Sequence, residues 1–151
     1  MSHTEVQAFF VTYREAFNRL DGDAVADLWH VGSGIADSHG QGDGTGPGAR
    51  LTWWPEDAPM RANHRALCEL YRSQDYGRAD FLIEHVQPLG PAHAFVHVQW
   101  TLQRRDGSLL QQFGTGYQLM HTAQGPRVLL AVAYQEDLQA MKTPATVAPQ
   151  R

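Results

Sequence analysis

Residues 94–137 read AFVHVQWTLQRRDGSLLQQFGTGYQLMHTAQGPRVLLAVAYQED, and the period of that stretch decides the architecture. Ala94, Val96, Val98, Trp100 and Leu102 fall on one face of an extended chain, and His93, Phe95, His97, Gln99 and Thr101 on the other. The run from 110 to 121 repeats the pattern, setting Phe113, Thr115, Tyr117 and Leu119 against Gln112, Gln118 and Met120. RRDGS joins these two runs, and its Asp106-Gly107 pair is a strong hairpin signal. TAQGP then leads into PRVLLAVAYQED, while FLIEHVQPL at 81–89 precedes the first run across LGPAH. Consecutive hairpins of this kind predict an antiparallel meander. Which face of the 94–103 strand turns inward stays open. With the apolar set inward, the polar set covers an outer surface; reversed, His97, Gln99 and Thr101 line a polar pocket.

Upstream of Gly77 the period is that of helices. Ser2-x-x-Glu5 has the form of a capping box, and Val6, Phe9, Phe10, Tyr13, Phe17 and Leu20 recur at three- and four-residue steps. DGD at 21–23 ends this helix, and Asp21 or Asp23 caps a short second one bearing Val25, Leu28 and Trp29. A third helix is expected from about Pro59 to Ser73, burying Ala62, Ala66, Leu67, Leu70 and Tyr71. Before it, Pro55 and Pro59 limit any strand at LTWW to a short one. Three helices followed by a meander predict an α+β domain, with helices on one face of a bent, mainly antiparallel sheet. One domain over 1–139 is expected, with an aperiodic tail at 140–151.

The totals agree with one globular domain. The chain has 151 residues, 42% hydrophobic and 19% charged. No apolar run approaches a membrane span, and the N-terminus has no basic start or apolar run, so a cytoplasmic protein is expected, without a membrane partner. A net charge of −4 argues against nucleic acid as a partner. The single cysteine, Cys68, excludes an internal disulfide; beside Leu67 and Leu70 it reads as a buried, inert thiol.

Between the second helix and LTWW lies GSGIADSHGQGDGTGPG, residues 32–48, which holds seven of the chain's 14 glycines. A phosphate loop, a domain linker and a mobile pocket wall would each suit such a segment. Neither G-x-x-x-x-G-K-[ST] nor G-x-G-x-x-G is present, so no nucleotide cofactor is expected. A linker is excluded if both flanks build one core. Gly40 to Gly48 are expected to form an irregular surface loop, a lid over a pocket.

The helix order, the short DAVADLW helix and the final VHVQWTLQRRDGS…FGTGYQLMHTAQGPRVLLAVAYQED together resemble the nuclear transport factor 2-like superfamily, in its SnoaL-like branch. The resemblance covers roughly Glu5 to Asp137. It implies a cone-shaped domain whose sheet wraps the first helix around an apolar pocket, and a homodimer through the outer sheet face. It implies a small apolar, carbonyl-type ligand, with proton transfer or simple binding as alternatives, because this fold hosts both. By comparison with ketosteroid isomerase, the base falls on Asp37 and the two hydrogen-bond donors on Tyr13 and Tyr117. Tyr117 stands where the family has an acid; a phenol still donates at neutral pH. Leu20 stands where the family commonly has glycine, which loosens the alignment at Asp37.

Each of these residues also has a plain structural reading. Tyr13 suits core packing, Asp37 before Ser38 suits an Asx-turn, and Tyr117 suits a sheet aromatic. Phe17, Trp29, Trp53, Trp54, Phe113 and Thr115 are the expected pocket walls, although the tryptophans would equally cover a core. Asp37-x-His39 with His97 offers three metal ligands on paper. The other histidines lack the spacing of a metal site, and no metal is expected.

Overall fold

The computed structural model describes residues 1–40 and 48–134. Helix α1, His3–Asn18, starts at the predicted capping box: Ser2 Oγ accepts from the Glu5 amide, and Glu5 Oε1 accepts from the Ser2 amide, both at 3.1 Å. Its buried face is Val6, Phe9, Phe10, Tyr13 and Ala16. Helix α2, Gly22–Ala26, is capped by Asp21, whose carboxylate accepts from the Ala24 amide. Strand β1, Trp29–Gly40, and strand β2, Gly48–Trp54, form a hairpin, and helix α3, Asp57–Ser73, follows. The meander is β3, Tyr76–Leu89; β4, His93–Arg104; β5, Leu109–Thr122; and β6, Gly125–Tyr134.

The six strands form one sheet in the order β2-β1-β6-β5-β4-β3. Every neighbouring pair is antiparallel except β1 and β6. The fold is therefore α+β, with three helices against a mostly antiparallel sheet. Helix α1 meets β3 toward one edge and β6 toward the other, so the sheet curls around it. Phe10 sits at the centre of the core, in ring contact with Phe9, Tyr13, Phe81, Trp100 and Tyr117.

The open question about β4 resolves in favour of the apolar set. Ala94, Val96, Val98, Trp100 and Leu102 are buried against the helices, and His97, Gln99 and Thr101 lie on the outer face. Phe113, Thr115, Tyr117 and Leu119 continue the inner face on β5.

Three expectations need correcting. Helix α2 stops at Ala26, so Leu28 lies in the turn after it and Trp29 opens β1 rather than riding on the helix. Helix α3 buries Met60, His64, Cys68 and Tyr71, whereas Ala62, Ala66 and Leu70 are exposed. The buried row is shifted around the helix because α3 lies over Trp29 and Trp54, which embrace His64. The glycine-rich segment is also strand as far as Gly40, the first residue of the expected irregular loop. Gly32 takes a left-handed φ of 83° at a bulge, where β1 from Trp29 to Gly34 faces only Val128 to Leu130. Gly34 lies against the Thr52 carbonyl and the Trp53 ring, leaving no room for a side chain. Gly40 pairs with Gly48. The irregular loop was expected from Gly40 to Gly48, and these two ends are strand instead; residues 41–47 and the expected tail at 140–151 lie outside the described residues.

Candidate functional site

Sheet register builds the site. Ile35 of β1 pairs with Ala131 of β6, and Ala131 pairs with Tyr117 of β5, so the alternate residues Ile35 and Asp37 share the inner face with Thr115 and Phe113. Arg50 of β2 stands directly opposite Asp37, and directly opposed residues in an antiparallel pair point the same way. Arg50 Nη2 donates to Asp37 Oδ2 at 2.6 Å. The carboxylate side chain is 10% exposed and the guanidinium 53%, so the acid is sheltered and its partner reaches toward solvent.

These residues wall a cavity of about 410 Å³. Its far wall is helix α3, through Asn63, Ala66, Leu67, Leu70 and Tyr71, and Phe17 closes the end of α1. Apart from Asp37, Arg50, Asn63, Thr115 and the Tyr71 hydroxyl, the lining is aliphatic or aromatic. A charge pair in such a wall is a marked departure, since a buried carboxylate needs a partner to be tolerated. The exposed Ala66 and Leu70 of α3 also find their reason here: they face a cavity rather than the core.

Tyr13 and Tyr117 are brought together, but behind this wall. Their ring centroids are 5.9 Å apart, and both are buried. Trp29 Nε1 donates to the Tyr13 hydroxyl at 3.3 Å, and Trp100 Nε1 donates to the Tyr117 hydroxyl at 2.9 Å. Burial, and then the neighbouring Tyr117, pushes the Tyr13 phenol well above its ordinary range, so it stays neutral. Neither tyrosine lines the cavity that holds Asp37. Of the expected pocket walls, Phe17, Phe113 and Thr115 line it. Trp29 and Trp54 pack in the core around His64, at 4.5 and 6.1 Å between ring centroids. Trp53 lies on the outer face, over Gly34, and is half exposed.

A family model described as "NTF2-like protein (DUF6841)" matches residues 4–136. The chain belongs to this NTF2-like family. None of the curated proteins matches it. Among solved structures, an NTF-2 like protein of unknown function from Shewanella oneidensis MR-1 superposes with a TM-score of 0.66 at 15% identity, over 88% of this chain and 98% of that one. Another such protein, from Silicibacter pomeroyi DSS-3, gives 0.59 at 19% identity, over 91% and 100%. A ketosteroid isomerase-like protein from Erwinia carotovora atroseptica SCRI1043 gives 0.60 at 16% identity, over 86% and 92%. At these identities the likeness is one of fold.

Within this NTF2-like fold, Asp37 and His97 sit on opposite faces of the sheet and cannot share an ion. Among the described residues no group of three His, Cys, Asp or Glu converges on a metal position. No helix among the described residues is long and apolar enough to cross a membrane. Cys68 is buried, and burial pushes its thiol up to about 11, as an inert cysteine requires. Sequence reasoning missed Arg50 and the α3 wall. A signal for Arg50 was present: a hairpin closed at Gly40 and Gly48 sets Asp37 and Arg50 near one another across the strands.

Proposed function

We propose that this NTF2-like protein binds a small, largely apolar molecule carrying a carbonyl-type group, held by that group at Asp37 and Arg50. The observation that carries this reading is one sheltered ion pair set in an otherwise mostly apolar wall. Such a pair offers an N–H donor and a carboxylate acceptor side by side, which suits a polar end on an apolar body. In the test, the wild type and Arg50→Ala are screened by thermal shift against small ketones and lipids. A ketone that stabilises the wild type and loses at least tenfold in affinity for the variant supports the reading. Equal affinity for both removes Arg50 from the site.

Proton transfer on the same ligand is a second reading, with Asp37 as the base; the donors expected from the resemblance, Tyr13 and Tyr117, lie behind the cavity wall. It draws support from Asp37 lying in the cavity wall, whereas both phenols are engaged by indoles deeper in the core. Deuterium uptake at the carbon next to a bound carbonyl, lost in Asp37→Asn, would support it; no uptake leaves binding alone.

We also propose a homodimer through the outer sheet face. Leu82, Leu51 and Trp53 are exposed there. The Tyr134 and Phe95 rings lie over Gly114 and Gly116, laying flat apolar surface across β5. Light scattering at tens of micromolar should give twice the monomer mass, and Leu82→Glu should halve it. A wild type that stays monomeric rejects the proposal.

A further inference from the structure

Behind the Asp37 cavity lies a much smaller one of about 30 Å³, walled by Tyr76, Ala79, Trp100 and Leu102. That is about the space one water molecule occupies in the liquid. Phe17, Tyr71 and Phe113 belong to both cavities, so these three rings are the partition between them. They are not equally held. Tyr71 is buried, stacked on Tyr76 at 5.5 Å and in contact with Phe17 at 6.0 Å. Phe17 also leans on Tyr13, at 5.4 Å. Phe113 is half-buried, and among the described residues no other ring packs on it. It is the leaf most able to turn.

Strand order gives the partition a direction. Asp37 and Arg50 stand on β1 and β2, toward one edge of the sheet, and the inner chamber is walled by β3 and β4 at the other. Phe113, on β5, lies between them. We propose that Phe113 is a length gate: the ligand is elongated, its polar end held at Asp37 and Arg50 and its unbranched apolar tail directed across β5 toward Trp100. Phe113 sets how many carbons the tail has before it stops against the ring, and turning that ring adds the inner chamber. This rests on the reading of the Asp37 cavity as the ligand site.

The test uses the full chain and straight-chain methyl ketones of about five to about fourteen carbons, with affinity expected to rise roughly fourfold per buried methylene until the cavity is full. Binding is read by calorimetry and by quenching of tryptophan emission, with Trp100→Phe as the control, since Trp100 walls the inner chamber. The wild type should reach its maximum at a short chain, and Phe113→Ala should move that maximum several carbons longer. Ala79→Val, which fills the inner chamber, should take back about one carbon of the gain when combined with Phe113→Ala. Should Phe113→Ala fail to fold by circular dichroism, Phe113→Leu is read in its place. An unchanged maximum in a folded variant overturns the gate and leaves the ligand site standing. A wild type that binds no ketone overturns both.

Discussion

His64 is buried in helix α3 between two indoles, and among the described residues neither ring nitrogen has a hydrogen-bond partner. Burial, and then the Arg61 charge, brings its pKa from 6.5 down to about 4. The unfolded chain therefore binds a proton that the folded chain refuses. Stability from this residue is complete above pH 6.5 and is lost as pH falls through about 4, by roughly 3 kcal/mol in all. Urea unfolding at pH 7 and pH 4.5 should show this difference, and His64→Leu should flatten most of it while leaving stability at pH 7 equal or higher. A sequence could show His64 as a histidine without metal-ligand spacing, but not that it would lie between Trp29 and Trp54. That needs the packing of α3 on β1. Asp37 was singled out in the sequence because a resemblance pointed to that position, and it lines the cavity. Arg50 was not, because its importance comes only from a cross-strand partner. Leu20 illustrates the converse: it takes a left-handed φ of 51°, where the family commonly has glycine, so an oddity of sequence marked a real backbone feature.

At the scale of elements, the first helix and the meander were readable because periodicity, capping and turn chemistry all agreed. The joints between elements were not. Asn18 ends α1 by acting as a short strand: its Oδ1 accepts from the Tyr76 hydroxyl and the Ala79 amide, both at 2.8 Å, and its Nδ2 donates to the Ala79 carbonyl. Asn18→Leu should lose about 2–4 kcal/mol by chemical denaturation, because a buried hydroxyl and a strand amide lose their acceptor. Tyr76→Phe in that background should recover part of the loss. Helices α2 and α3 are joined by charge and by close approach. Arg61 binds Asp23, Asp27 and Asp57, while a side chain at Gly22 would sit 2.6 Å from the Arg65 Cα. Backbone cannot swing aside as a side-chain tip can. Gly22→Ala should therefore cost about 1–3 kcal/mol, measured by thermal or urea unfolding. A stable variant would mean that α2 shifts freely on α3.

For the whole molecule, one pairing closes the sheet. Strand β1 is joined to the meander through its parallel contact with β6, roughly a hundred residues later in the chain. Without β6 the β1–β2 hairpin has no strand neighbour and the cavity loses Ala131 and Ala133. A chain ending at Thr122 should unfold without a cooperative transition, whereas the full-length chain should unfold sharply. Equal cooperativity in both would show that helices alone hold the hairpin. This closure was beyond the reach of local pattern, because nothing near β1 in sequence names its partner. The α+β class was legible; the parallel seam was not.

The buried Cys68 has a practical consequence. A thiol so enclosed, and so reluctant to ionise, will ignore maleimides and similar labelling reagents at neutral pH. The natural chain thus behaves toward such reagents as a cysteine-free background. One cysteine placed on β2 and another on the exposed side of α3 would each take a probe cleanly, and a dye pair across the mouth of the cavity would report its width in solution.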